Sequence, residues 1–116
     1  MASLIAQEYS KAGIKVTLTP LDLKLFGERA RAHDYDLILG SWGATSLPED
    51  YTQIWHSSSW KNHGNNYTGF GTNASDALID SIKIELIPEK RIEMVHKLQT
   101  IIYEDQPCVF LSLIHI

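Results

Sequence analysis

Aromatic side chains alternate with glycines and small polar residues between positions 41 and 71. The rings in this segment belong to Trp42, Tyr51, Trp55, Trp60, Tyr67 and Phe70. Indole and phenol rings offer a large apolar face and a hydrogen-bonding edge at a small cost in rotamer freedom, which suits the binding of varied peptide-like ligands. Long loops rarely carry so many aromatic residues without a structural or functional reason. The segment therefore predicts non-covalent ligand binding, with packing against the core as the alternative for each ring.

Histidines and serines in the same segment could form two other kinds of site, a metal site or a hydrolytic site. His56 and His63 could bind a metal with a nearby carboxylate, but their separation of seven positions in a polar loop matches no common zinc spacing. The run Ser57–Ser59 beside His56 could supply a nucleophile and a base, but it lacks the glycine-framed turn of a nucleophile elbow. A small hydrolase is the least favoured function, because it requires His56 within reach of a serine beside a shaped pocket. We predict no metal and no cofactor.

The composition is that of an ordinary globular domain. The chain has 116 residues, of which 44% are hydrophobic and 21% charged, enough for one core. Its formal net charge is -4, and Lys90 and Arg91 are the only adjacent cations, so the sequence predicts no nucleic-acid partner. No apolar run approaches the roughly 20 residues that span a bilayer, and the first residues do not resemble a secretion signal. The apolar neighbours of Cys108 indicate a buried thiol without a chemical role.

The first 40 residues predict a helix, a strand, a helix and a second strand. Apolar residues at helical spacing indicate a helix over 3–12, which Gly13 ends. Apolar and polar residues alternate over 14–18, the pattern of a half-buried strand. Asp22 can cap the next helix, and the apolar run 36–40 is typical of a strand covered on both faces. This order predicts a right-handed parallel crossover.

The rest of the chain predicts three helices and a last strand. A short helix is expected over 48–56 because proline and acidic residues suit a first turn. Apolar stripes predict two longer helices, one over 73–86 that is capped by Asn73 and one over 88–106. An apolar strand over 109–116 follows. The predicted fold class is therefore α/β, with a parallel strand-helix-strand unit, two C-terminal helices and a final strand.

Three stretches resemble the extracellular solute-binding proteins of family 5, the oligopeptide-, dipeptide- and nickel-binding components of ABC importers. The first is Tyr35–Ala44, similar to the family's strand that ends in a tryptophan loop. The second is Asn66–Phe70 with the helix around 76–79, and the third is Pro88–Arg91 leading to Tyr103–Pro107. Their order and spacing make the combination more specific than any single stretch.

The resemblance implies a fold, a role and a site. Family members have two lobes of the type II periplasmic-binding class that close over a peptide-like solute, and they are several times longer than this chain. We therefore expect residues 1–116 to be the C-terminal part of one lobe of an extracytoplasmic protein, either periplasmic or lipid-anchored. That protein is expected not to be an enzyme and to deliver solute to importer membrane subunits. The implied ligand-binding residues are Ser41, Trp42, Gly43, Ala44, Thr45, Asn66 and Tyr67.

One departure from the family pattern concerns the ligand's amino group. Many peptide-binding members carry an aspartate three residues after the tryptophan, where it pairs with the ligand's ammonium group, but this sequence has Thr45. A neutral hydroxyl cannot replace that charge pair. Either Glu49 or Asp50 meets the ammonium, or the ligand lacks a free amino group. A different class of function also stays open, namely a free-standing protein-interaction module that uses the aromatic loop 41–71.

Overall fold

The computed structural model describes residues 1–42 and 50–111, and all the regular structure within these ranges is helical. Contacts within the chain divide it into two compact units, Met1–Gly43 and Ala44–Ile116. The first unit holds α1 and α2, and the second holds the other described helices. In chain order they are α1 Ala2–Lys11, α2 Leu23–Ala32, α3 Thr52–Trp55, α4 Ser57–Lys61, α5 Asn73–Ile84 and α6 Pro88–Asp105.

The predicted α/β class is wrong for the part of the chain that the structure describes. Residues 14–18 and 36–40, the two expected parallel strands, have irregular backbone and form no sheet. Alternation of apolar and polar residues indicates only that one face could be buried, whereas a strand also needs a partner for its backbone groups. Here most of the apolar side chains stay in solvent: Ile14 is 50% exposed and Leu37 is 65% exposed, and Val16 and Ile38 are only partly buried. The strand-helix-strand unit and the type II lobe architecture are therefore corrected to an all-helical arrangement.

The expected final strand is not formed where it can be followed. Residues 109–111 are exposed and irregular, and the remaining positions of that predicted strand, 112–116, lie outside the described residues. Within 1–42 and 50–111, none of the helices combines the length and the apolar character that crossing a membrane requires.

The first unit is organised by local signals that the sequence contains. The carboxylate of Asp22 accepts hydrogen bonds from the backbone amides of Lys24 and Leu25, both at 3.0 Å, so α2 begins where the sequence predicts. Gly13 follows α1 with a φ of +82°, a left-handed conformation that costs glycine little. The predicted bounds of α1 are confirmed to within a residue, and α2 is confirmed to begin directly after Asp22.

The core lies in the second unit, where α5 packs against α6. Its buried side chains are Phe70, Ile79, Ile82, Leu98 and Ile102. Those on α5 and α6 recur at helical spacing, which confirms the two predicted C-terminal helices. Their apolar stripes are confirmed only in part, since Leu86 and Ile92, also expected to face inward, are 91% and 56% exposed. Full burial of aliphatic side chains of this size contributes roughly 1.5–3 kcal/mol each, so this cluster is the main source of packing energy in the described residues.

The start of α5 differs from the prediction in a way that matters for the site. The cap is Thr72, not Asn73: its hydroxyl accepts from the amide of Ser75 at 3.2 Å, and the Ser75 hydroxyl accepts from the amide of Thr72 at 2.8 Å. Because these two hydroxyls satisfy the first turn, the carboxylate of Asp76 is left to bind another segment. The helix also ends at Ile84, two residues before the predicted end.

Two short helices replace the single helix predicted over 48–56. They are α3 and α4, separated by His56, whose backbone is extended. Positions 48 and 49 of the predicted helix lie outside the described residues. The last helix agrees with its prediction, since Pro88 occupies its first position and Gln106 ends it in a left-handed conformation directly before Pro107.

Candidate functional site

Two of the predicted ligand-binding residues lie in the described part of the first unit. Ser41 is exposed, and Trp42 is 41% exposed. They follow Gly40, where an added Cβ would lie 3.2 Å from the ring of Phe26, so glycine allows the backbone to approach α2 closely at this point. Trp42 is therefore placed by a segment packed on α2, and its indole keeps a solvent-accessible face. Gly43, Ala44 and Thr45 lie outside the described residues.

Asn66 belongs to the second unit and is completely buried. Its side-chain amide donates to the carbonyls of His56, at 3.1 Å, and Phe70, at 2.7 Å, while its carbonyl accepts from the hydroxyl of Thr68 at 3.1 Å. A side chain with these three bonds orders the loop that contains it. A direct contact between Asn66 and a ligand stays a prediction. Tyr67 is half-buried and donates from its hydroxyl to Asn65 at 3.3 Å.

The other aromatic residues of the loop take part in packing. The rings of Trp55 and Phe70 meet edge to face, with centroids 5.6 Å apart, and Phe70 belongs to the core. The ring of Trp60 lies against Gly69. Trp55 and Trp60 therefore pack within the protein, which was the alternative to ligand binding. Less aromatic surface is available to a ligand than the sequence predicts.

A polar cluster that the sequence did not predict joins the start of α4 to α5. Its members are His56, Ser57, Ser58, Asp76 and Asp80. The carboxylate of Asp76 accepts from both the hydroxyl and the amide of Ser57, the latter at 3.0 Å. The two ring nitrogens of His56 each lie 3.8 Å from a carboxylate oxygen, Nδ1 from Asp76 and Nε2 from Asp80. The imidazole and the Asp76 side chain are both only 16% exposed.

Electrostatics keep Asp76 ionised in this cluster. Burial favours the neutral acid and pushes its pKa upward, but the two hydrogen bonds from Ser57 and the nearby His56 and Lys61 outweigh burial. The pKa of Asp76 is therefore lowered from its ordinary value. The carboxylate is a fixed negative charge that ties Ser57 to α5.

His56 acts as the N-terminal cap of α4. Its Nδ1 accepts from the amide of Ser58 at 3.1 Å, and the hydroxyl of Ser58 lies 2.8 Å from the same nitrogen. This meets one condition for a hydrolase, a serine within reach of His56. The second condition was a shaped pocket beside that pair. A surface groove of about 470 Å³ in this unit lies beside the end of α5, lined by Ser81, Ile84, Glu85, Leu86, Ile87 and Met94. The lone pair that would act as a base is engaged by the Ser58 amide, so the arrangement serves to cap the helix.

Glu49 and Asp50 were the two residues suggested as partners for a ligand's ammonium group, and of these the structure describes Asp50. The nearby hydroxyl of Thr52, and then its backbone amide, lower the pKa of this exposed carboxyl. The amide donates to the carboxylate at 3.0 Å, whereas the hydroxyl has no hydrogen-bond partner among the described residues. Asp50 is therefore anionic at neutral pH. Over residues 1–42 and 50–111, no group of three or more His, Cys, Asp or Glu side chains could hold a metal ion.

One signal in the sequence could have pointed to the cluster. Asp76 and Asp80 are four residues apart, so they lie on one face of α5. No sequence rule pairs that face with a histidine 20 positions earlier. The contact depends on the close approach of Gly71 to Ser57, which only the folded chain reveals.

Comparisons with known proteins give no further guide to function: no family model matches this chain, and no curated protein or solved structure is significantly similar to it.

Proposed function

We propose that this chain binds a peptide-like solute without covalent chemistry, as the ligand-contacting segment of an extracytoplasmic capture protein that serves an ABC importer. The proposal rests on the residues around Trp42 and does not depend on a sheet. Its principal support is that the Trp42 indole is 41% exposed and follows the close-packed Gly40 and the exposed Ser41. The resemblance of Tyr35–Ala44 to the family's tryptophan loop supplies the solute class.

The chemistry of this segment suits a peptide backbone. A partly exposed indole presents a flat apolar face to a peptide plane or an aliphatic side chain. The hydroxyl of Ser41 can donate or accept. Such neutral groups would not distinguish between different ligand side chains, so we expect broad selectivity. We also expect weak binding by this chain, with dissociation constants near the millimolar range.

The test uses three fluorine labels. The chain has three tryptophans, and 5-fluorotryptophan incorporation gives one ¹⁹F resonance for each, assigned with single Trp→Phe variants. Titration with mixed di- to pentapeptides should shift the Trp42 resonance saturably and leave the Trp55 and Trp60 resonances in place. Saturation only at millimolar peptide corresponds to about -4 kcal/mol of binding free energy.

Matched variants make the result decisive. Trp42→Ala should abolish the saturable response detected by isothermal calorimetry, whereas Trp60→Phe should retain it, with circular dichroism showing that both variants keep their helices. Because Thr45 stands where the family has an aspartate, N-acetylated and free peptides should bind within about threefold of each other, less than the roughly tenfold loss expected when one charge-assisted bond is removed. A Trp42 resonance that never saturates, or binding that survives Trp42→Ala, would contradict the proposal.

A further inference from the structure

The cap of α4 requires a neutral imidazole. Nδ1 of His56 can accept the Ser58 amide, at 3.1 Å, only through an unprotonated lone pair. In the neutral ring, the proton is then on Nε2, the nitrogen that faces Asp80. Histidine is the side chain whose charge ordinarily changes between pH 5 and 8. A proton gained at Nδ1 would remove the acceptor from the helix cap.

Two carboxylates face the ring of His56. Carboxylate oxygens of Asp76 and Asp80, both on α5, lie 3.8 Å from the two ring nitrogens. Lys61, on α4, is the cation that also acts on Asp76. The described loop 66–71 beside His56 carries no charged residue. Because the imidazole is only 16% exposed, its attraction to the two carboxylates is screened less than it would be at the surface.

We propose that His56 is a proton-operated switch between the cap of α4 and a charged link to α5. When neutral, the ring holds the Ser58 amide and thereby the first turn of α4. When protonated, the ring releases that amide, donates from Nδ1 to the Ser58 hydroxyl or to Asp76, and donates from Nε2 to Asp80. Asp76 stays ionised throughout, since its own pKa is lowered.

The consequence reaches the aromatic loop. Trp60 lies in α4 and packs against Gly69, so a loosened first turn of α4 changes the environment of the Trp60 ring. This inference is independent of ligand binding at Trp42. The loop thus has two arrangements, selected by proton concentration, with an unchanged core of α5 and α6 beneath it.

The experiment follows the ring and the amide together in the full chain. NMR titration from pH 8 to 5 should show the His56 ring carbons and the Ser58 amide changing with one midpoint, and hydrogen exchange at the Ser58 amide, corrected for its intrinsic pH dependence, should be at least tenfold faster in the protonated state. The Ser57 amide, which is bonded to Asp76, should stay protected. A Ser58 amide that keeps its shift and protection while the ring titrates would overturn the proposal.

Four variants separate the switch from a structural role. His56→Asn keeps a capping acceptor but cannot take up the proton, so Ser58 should become insensitive to pH over the same range. His96→Asn, on the exposed side of α6, is the matched control and should leave the Ser58 titration unchanged. Asp80→Asn removes one carboxylate, so the shared midpoint should move to lower pH. Unchanged midpoints in both Asp80→Asn and Asp76→Asn would show that the carboxylates do not hold the charged ring.

Discussion

At the scale of single residues, Asp76 makes the polar contact that ties α4 to α5. Its carboxylate accepts both the amide and the hydroxyl of Ser57. Hydrogen bonds to a charged acceptor contribute about 1.5–3 kcal/mol each, and replacing the carboxylate with an amide turns one accepting oxygen into a donor. We expect Asp76→Asn to lower the free energy of unfolding by about 2 kcal/mol at pH 7, measured by urea denaturation with tryptophan fluorescence.

The same substitution should change the response to acid. Because the folded-state pKa of Asp76 is lowered from 3.8, its stabilising effect is present above that value and is lost as the pH falls through the lower folded pKa. The difference between wild type and Asp76→Asn should therefore shrink at acidic pH. Asp80→Asn is the control: that side chain is 70% exposed, so its effect should stay at about 0.5 kcal/mol or less. Equal losses in the two variants would contradict this account.

At the scale of elements, Gly71 allows the loop to approach the start of α4. Its φ is +134°, and an added Cβ would lie 2.8 Å from both the amide nitrogen and the Cβ of Ser57. Strain and overpacking together should make Gly71→Ala lose about 3 kcal/mol of stability. Gly69→Ala is the matched comparison, since its φ is also positive but its nearest new contact, with Trp60, would be an ordinary 3.6 Å.

We expect Gly69→Ala to lose only about 1 kcal/mol, the conformational cost alone. Parallel thermal and urea denaturation of the two variants measures the difference, to which the steric contact with Ser57 and the less favourable φ of Gly71 both contribute. If the two variants were equally stable, the close approach of residues 57 and 71 would not contribute.

The element scale also explains which parts of the fold the sequence predicts. Asp22, Pro88 and Pro107 act on their own neighbours, so the helix boundaries they set could be predicted from local chemistry. The strands over 14–18 and 36–40 could not be settled in this way, because a strand exists only where other backbone groups complete its hydrogen bonds. An alternating pattern predicts which face of a segment could be buried, but it does not predict whether another part of the chain packs against that face.

The candidate site also contains some residues that the sequence predicts and others that depend on the fold. Trp42 could be singled out because its ring type and its glycine neighbours are visible in the sequence, and its partial exposure is compatible with ligand contact. Asn66 could be singled out as well, but its bonds to two carbonyls depend on the loop's closed path. The contacts of His56 with Asp76 and Asp80 were missed because they depend on packing between segments 20 or more positions apart.

At the scale of the whole molecule, burial is distributed unevenly between the two units. The cluster of buried apolar side chains lies in Ala44–Ile116, whereas the described part of Met1–Gly43 buries one apolar residue, Ala30. The α1 helix has ten residues, none of them buried. Isolated helices of this length are only marginally stable in water, because the free-energy cost of nucleation exceeds the stabilisation from a few hydrogen bonds.

Hydrogen exchange should therefore separate the two units. In the intact chain at neutral pH, we expect central amides of α5 and α6 to be protected at least about 100-fold more than those of α1, since opening α5 or α6 exposes the shared core and opening α1 exposes little. Mass spectrometry of peptides after timed exchange measures both in one sample. Leu98→Ala, at a site only 1% exposed, should reduce protection throughout α5 and α6 and leave α1 unchanged. Equal protection of α1 and α6 in the wild type would mean that the stability of the first unit has a source other than its own burial.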